Sequence, residues 1–241
     1  MVVTKKPANR HTTRRQGAKR EIPLTQDEIV TAAFALIAEG GPDTFSMRSL
    51  ATSLGVYPSA LYWHVGSRSG LLGLVADVWL RDVVPNDSSS DWEGFVRSLA
   101  SRYRNAALSQ PNVARLLSHE IFRSGQSLRL PEAVIGQMLK AGLAVEEVIA
   151  AYNALTGAVV GFIDVELSQL LENDDETSHE IEAVIVGLDV KEYPNLVRFN
   201  DQLTNHAFAL RWTSGDTNPM DGSFDYLIDT LILGIRQRVT A

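Results

Sequence analysis

From Leu24 onward the apolar residues recur three or four positions apart, and almost no stretch alternates at every second position. The segment LTQDEI opens the first such pattern. Thr25 and Glu28 are spaced as a capping box, and Leu24 and Ile29 as the hydrophobic staple that accompanies one. Ile29, Ala33, Leu36 and Ile37 form the buried stripe, and Gly40-Gly41-Pro42 ends the helix. A second, short helix begins at Ser46 as N-cap and places Met47, Leu50, Ala51 and Leu54 on one face. Gly55 supplies the left-handed residue that ends it. Pro58 suits the first turn of a third helix, where its missing N–H would go unpaired anyway. A fourth starts near Ser67 and carries Leu71, Leu72, Val75 and Trp79.

VPNDSSSD, from Val84 to Asp91, is a polar break. Beyond it Ser90 and Glu93 are spaced as another capping box, opening a helix to about Ser109. Further helical patterns cover roughly 112–124, 129–141, 145–172, 195–211 and 222–239, with ENDDETSHE and TSGDTNPMDGS as loops. The predicted fold class is all-α, divided into an N-terminal arm at 1–21, a small domain at 22–84 and a larger one at 85–241.

Composition narrows the function classes. There is no cysteine, so disulfides and thiolate metal sites are excluded. The longest apolar run, LTGAVVGFI, is about half a membrane span, and no signal-type apolar segment follows the basic start. A cytoplasmic protein without membrane attachment is expected. The net charge of −7 conceals an asymmetry: residues 1–20 hold seven Lys and Arg and no acid, whereas the rest holds 15 basic against 29 acidic residues. An arm of that composition buries too little apolar surface to order itself. It reads either as a phosphate-neutralising segment or as a solubilising tail.

The spacing Ala51-x3-Gly55-x5-Leu61 is that of a helix-turn-helix. A small residue lets the two helices approach, glycine makes the turn, and an apolar residue locks the second helix on the first. In this order and spacing, FSMRSLATSLGVYPSALYWHVGSRSGLL resembles the TetR family of bacterial transcriptional repressors. Its LYWHV block is similar to the tetracycline repressor branch. The resemblance covers about Leu24 to Leu80. It weakens but continues through DWEGFVRSLASRYRNAALSQPNVARLL and GLAVEEVIAAYNALTGAVVGFIDVE. It implies a homodimer with three-helix DNA-binding heads on a helical ligand-binding and dimerisation core, released from double-stranded operator DNA by a small-molecule effector.

On that reading Ser46 and Arg48 grip one phosphate beside a helix N-terminus and Arg68 grips another. Tyr62 and His64 turn polar tips to phosphates, with Trp63 anchoring the surface. Base edges fall to Tyr57, Pro58, Ser59 and Ala60, through apolar contacts and two hydroxyls. The alternative is that Tyr62 and Trp63 are core packing. Tyr57 replaces the Ser or Thr that caps this helix in many relatives, so another means must start it. Residues 21–72 hold only Arg48 and Arg68 against Glu21, Asp27, Glu28, Glu39 and Asp43, so the arm is expected to supply much of the attraction to a polyanion.

In the larger domain the resemblance implies that helices 145–172 and 222–239 pair with their copies. Gly157 and Gly161, with Ala158 between them, form a small-residue face, and Leu227, Leu231, Ile232 and Ile235 an apolar one; intramolecular core is the alternative. An effector pocket is expected among helices 91–109, 112–124, 129–141 and 145–172. Its candidate lining is Leu99, Tyr103, Leu117, His119, Phe122, Met138, Asn153, Thr156 and Phe162. Where tetracycline-binding members place polar and metal-binding side chains, this chain carries Val84, Leu99 and Leu117. No metal or other cofactor is expected, and magnesium-tetracycline is not the expected effector. An apolar or aromatic molecule with a few polar handles suits those residues better. An enzyme is disfavoured, since HExxH, P-loop, GxGxxG and GxSxG patterns are absent and His119-Glu120 and His179-Glu180 are isolated pairs. A DNA-bending protein is disfavoured by the acidic body.

Overall fold

The computed structural model describes residues 23–41, 44–85, 91–120, 128–172, 187–200 and 220–239. Within them the chain forms α1 (Gln26–Gly40), α2 (Met47–Ser53), α3 (Pro58–Val65), α4 (Arg68–Leu80), α5 (Trp92–Ser109), α6 (Pro111–Glu120), α7 (Arg129–Ala141), α8 (Val145–Glu172), α9 (Pro194–Arg198) and α10 (Asp221–Val239). No strand occurs among the described residues. The arm at 1–21 and the expected segments at 121–124 and 201–211 lie outside them.

The helix starts follow local chemistry. Thr25 Oγ1 accepts from the Glu28 N–H and opens α1. Ser46 and Ser49 form a reciprocal box at α2, each hydroxyl accepting from the other's backbone N–H at 3.0 Å. Ser67 caps α4. At α5 the cap differs from the Ser90–Glu93 expectation. Ser90 is outside the described residues, and Asp91 is the N-cap, its carboxylate accepting from the Gly94 N–H at 2.7 Å. Glu93 is taken instead by the Arg236 guanidinium of α10 in a two-pronged ion pair. The hydrogen bond from Arg236 is the main reason its carboxyl sits below the ordinary range.

The apolar stripes meet in one continuous interior. Ile29, Ala33 and Ile37 of α1 pack with Leu50, Leu61, Leu71, Leu72 and Val75, and the same cluster runs on through Phe95, Val113, Leu117, Val134, Met138, Leu155 and Ile232. Helix α6 bridges the halves by packing on both α1 and α4. Asn112 adds a polar tie, its Nδ2 donating to the Ala38 carbonyl at 3.0 Å.

Helix α8 has two unlike faces. Val148, Ala151, Leu155, Ile163 and Leu167 point inward. Ile149, Asn153, Gly157, Gly161 and Val165, every fourth residue, form an exposed stripe. By length and composition the stretch Val145–Ser168 is long and apolar enough to cross a membrane, well beyond the run noticed in the sequence, yet only 22% of its most apolar window is buried in the chain.

Candidate nucleic-acid interface and effector cavity

The turn between α2 and α3 rests on Gly55, whose φ of +66° is left-handed, and on the Val56 N–H, which donates to the Ala51 carbonyl at 3.0 Å. Helix α3 then starts at Pro58, with Tyr57 as an N-cap that makes no side-chain capping bond. Proline's preset φ stands in for the missing hydroxyl cap. Leu61 and Val65, four apart, bury against the head and set the rotation of α3. Everything else on the helix is thereby turned outward or left half-buried. Tyr57 is 61% exposed and Trp63 76%, with Tyr62, Pro58 and Ser59 also exposed and Ala60 and His64 half-buried.

This arrangement changes one expectation. Trp63 does not anchor the surface by packing on the head; it projects from it, with its ring 5.9 Å from that of His64. Core packing is excluded for both Tyr62 and Trp63. The end of α3 is held from α1, where Gln26 Nε2 donates to the His64 carbonyl at 3.0 Å. Arg68 stacks its guanidinium 5.7 Å from the centre of the buried Phe45 ring, which orients an exposed cation. A Cβ on Gly70 would collide with the Val65 carbonyl oxygen, so glycine permits the close step from α3 into α4. Ser46, Arg48 and Arg68 are all exposed. The head therefore presents rings, hydroxyls and two cations on a rigid three-helix support.

In the larger half, a cavity of about 40 Å³ lies between α5, α7 and α8. Leu99, Tyr103 and Thr156 line it, together with Val96, Ala100, Leu130, Val134, Leu155, Val159 and Val160. The seven additional residues continue the helical stripes of the first three, a signal the sequence contained. Among the described residues helix α6 contributes none of the lining, whereas the expectation includes a contribution from 112–124. Leu117 and Met138 are fully buried core. Phe162 packs edge-on against Phe224 at 5.3 Å. Asn153 is exposed on the outer stripe of α8. The His119 side chain and Phe122 lie outside the described residues. Val84 is buried, so it, Leu99 and Leu117 give this interior an apolar character. Tyr103 is buried edge-on to Trp79 at 5.2 Å, and burial, reinforced by the charge of Asp164, pushes its phenol well above the usual range.

An ion cluster beside this cavity was not anticipated. The buried Arg104 donates through Nε and Nη2 to both oxygens of Glu166, which is 0% exposed, and through Nη1 to Asp221. Burial by itself would lower the guanidinium, but the hydrogen bonds to Glu166 and Asp221 outweigh it and hold its proton more tightly. Arg104 also stacks 4.9 Å over Phe224. On α10, Ile235 faces the chain's own interior with Phe224, Ile228 and Ile232, while Leu227 and Leu231 are half-buried. The exposed apolar residues of α10 are Tyr226 and Leu233, beside an exposed Gly234.

Two family profiles match the chain: bacterial regulatory proteins of the tetR family over residues 29–75, and the tetracyclin repressor-like C-terminal domain over residues 84–238. An HTH-type transcriptional regulator of Saccharopolyspora erythraea is 32% identical over 144 residues, which cover 59% of this chain and 61% of that protein. The crystal structure of ActR from Streptomyces coelicolor in complex with actinorhodin superposes with a TM-score of 0.73 at 26% identity, covering 91% of this chain and all of that one. BioQ with its natural double-stranded DNA operator gives a TM-score of 0.58 at 31% identity, over 68% of this chain and 97% of BioQ.

Proposed function

Because this chain belongs to the tetR family of bacterial regulatory proteins, we propose that it is a cytoplasmic repressor that holds operator DNA as a homodimer and releases it when a small, largely apolar effector enters the cavity. The family consists of DNA-binding transcription regulators, not enzymes. The observation that carries the reading is the face of α3. Leu61 and Val65 fix its rotation so that Tyr57, Pro58, Ser59, Tyr62 and Trp63 all stand outward, and the cations Arg48 of α2 and Arg68 of α4 are exposed as well. A helix so oriented fits a major groove, with the two Arg residues and Ser46 on the flanking phosphates and Tyr57 to Ala60 at base edges. BioQ is described bound to its operator, and ActR bound to actinorhodin; operator binding and effector binding are carried to this chain from those relatives.

Dimerisation is supported by the outer stripe of α8, where Gly157 and Gly161 leave room for close helix approach between Ile149 and Val165. Helix α10 adds Tyr226 and Leu233, seven residues apart on one face. Exposed apolar stripes of this kind mark a protein contact, and a second copy presents the matching surface by symmetry. The apolar lining of the cavity favours an effector other than a magnesium–tetracycline chelate, which needs oxygen and imidazole partners.

Selection from a random duplex library tests the whole reading. A palindromic pair of half-sites should be enriched by the wild type. The double variant Val165→Glu/Leu233→Glu should run as a monomer in light scattering and lose that enrichment. A wild type that is monomeric, or that enriches no sequence, overturns the proposal.

A further inference from the structure

Among the described residues the cavity wall is almost wholly carbon, and no charged side chain lines it. Of its two polar side chains, Thr156 has its hydroxyl proton committed to the Tyr152 carbonyl at 2.7 Å, so its oxygen can only accept. The other is Tyr103. The cation next in sequence, Arg104, has each of its three nitrogens donating to a carboxylate oxygen. Among the described residues, an anion brought here would lose its hydration and gain no free positive partner.

One donor close by is unspent. Trp79 is only 7% exposed, and its indole N–H finds no acceptor among the described residues. Buried polar groups left so are few in folded proteins, and each calls for an explanation. Trp79 packs against Tyr103, and Tyr103 lines the cavity. At about 40 Å³ the cavity holds no ring-sized molecule until side chains move. A molecule that displaces the Tyr103 ring meets the indole behind it.

We propose that the effector is an uncharged molecule bearing an oxygen acceptor, and that Trp79 Nε1 donates a hydrogen bond to that oxygen when the cavity fills. This rests on the cavity being the effector site. Trp79 is then a specificity-determining residue, and because it stands on α4, whose first residue is Arg68, the bond acts on the helix that carries the head.

The test uses the full chain with nitrogen-15 in its four tryptophan indoles. The Trp79 signal is identified by its loss in Trp79→Phe or, should that variant not fold, by elimination with Trp63→Phe, Trp92→Phe and Trp212→Phe. The probes are acetophenone, ethylbenzene, which has the same carbon skeleton with a methylene in place of the carbonyl, and benzoate. Acetophenone and ethylbenzene should both shift the methyl signals of Val134 and Val159. Only acetophenone should move the Trp79 indole proton downfield, and benzoate should do neither. The wild type should prefer the ketone at least fivefold, and Trp79→Phe should lose that preference while still binding ethylbenzene. An indole signal that responds alike to ketone and hydrocarbon, or benzoate competing with acetophenone, overturns the inference while leaving the cavity reading intact. If no probe reaches the cavity methyls, the cavity reading fails and the inference falls with it.

Discussion

Leu61 and Trp63 are two residues apart on α3 and have opposite fates, one fully buried and the other three-quarters exposed. Trp63→Ala should therefore leave folding stability within about 0.5 kcal/mol in a urea melt. It should weaken operator binding about tenfold or more by anisotropy, the equivalent of roughly 1.4 kcal/mol. Leu61→Ala should cost about 2–5 kcal/mol of stability and lose binding because the head loosens. Much of this was legible in LYWHV, since Leu61 and Val65 are one helical turn apart and the residues between them must face elsewhere. The role of Trp63 was less legible: a large ring suits an anchor as well as a projecting contact, and only the fixed rotation of α3 shows it projecting. The cap at Ser46 and the start of α4 near Ser67 were equally legible, being local. The Asp91 cap was not, because Ser90 and Asp91 both suit the position and the choice falls to Arg236, 143 residues from Glu93.

Among the elements, α5, α8 and α10 are joined by the Arg104–Glu166–Asp221 cluster. Helical periodicity placed Arg104 and Glu166 on their helices, but nothing local could pair side chains 62 residues apart. Arg104→Ala should destabilise the fold by about 3–5 kcal/mol, because it takes the guanidinium away from both oxygens of a carboxylate that is wholly buried. The joint replacement Arg104→Met with Glu166→Leu should recover most of that loss, since it removes both buried charges of the pair together. Urea denaturation of the two variants checks the contrast. The outer stripe of α8 was half legible: Gly157 and Gly161 stood out as small residues, whereas Asn153 was placed in the pocket although its spacing of four from Gly157 puts it on the exposed side. Likewise Ile235 shares the inward face of Ile228 and Ile232, two turns and one turn away.

Across the whole molecule, charge is divided between a basic arm and an acidic remainder. The exposed face of the head offers two arginines, too few for tight hold of a polyanion. Deleting residues 1–20 should lower operator affinity and flatten its salt dependence by about 0.9 logarithmic units for each phosphate the arm neutralises. Anisotropy titrations across a salt series check this, and an unchanged slope would mean that the arm is a solubilising tail. Charge asymmetry was plain in the sequence, and so was the polar break after Val84. Less visible was how little that break separates. Asn112 reaches from α6 to the end of α1, and the apolar interior passes from the head into the core without a gap. The two halves are thus not interchangeable cassettes. A hybrid grafting this DNA reader onto a relative's sensing portion at the polar break would slice through shared packing, and it would have to import the matching side of α6 to stand upright.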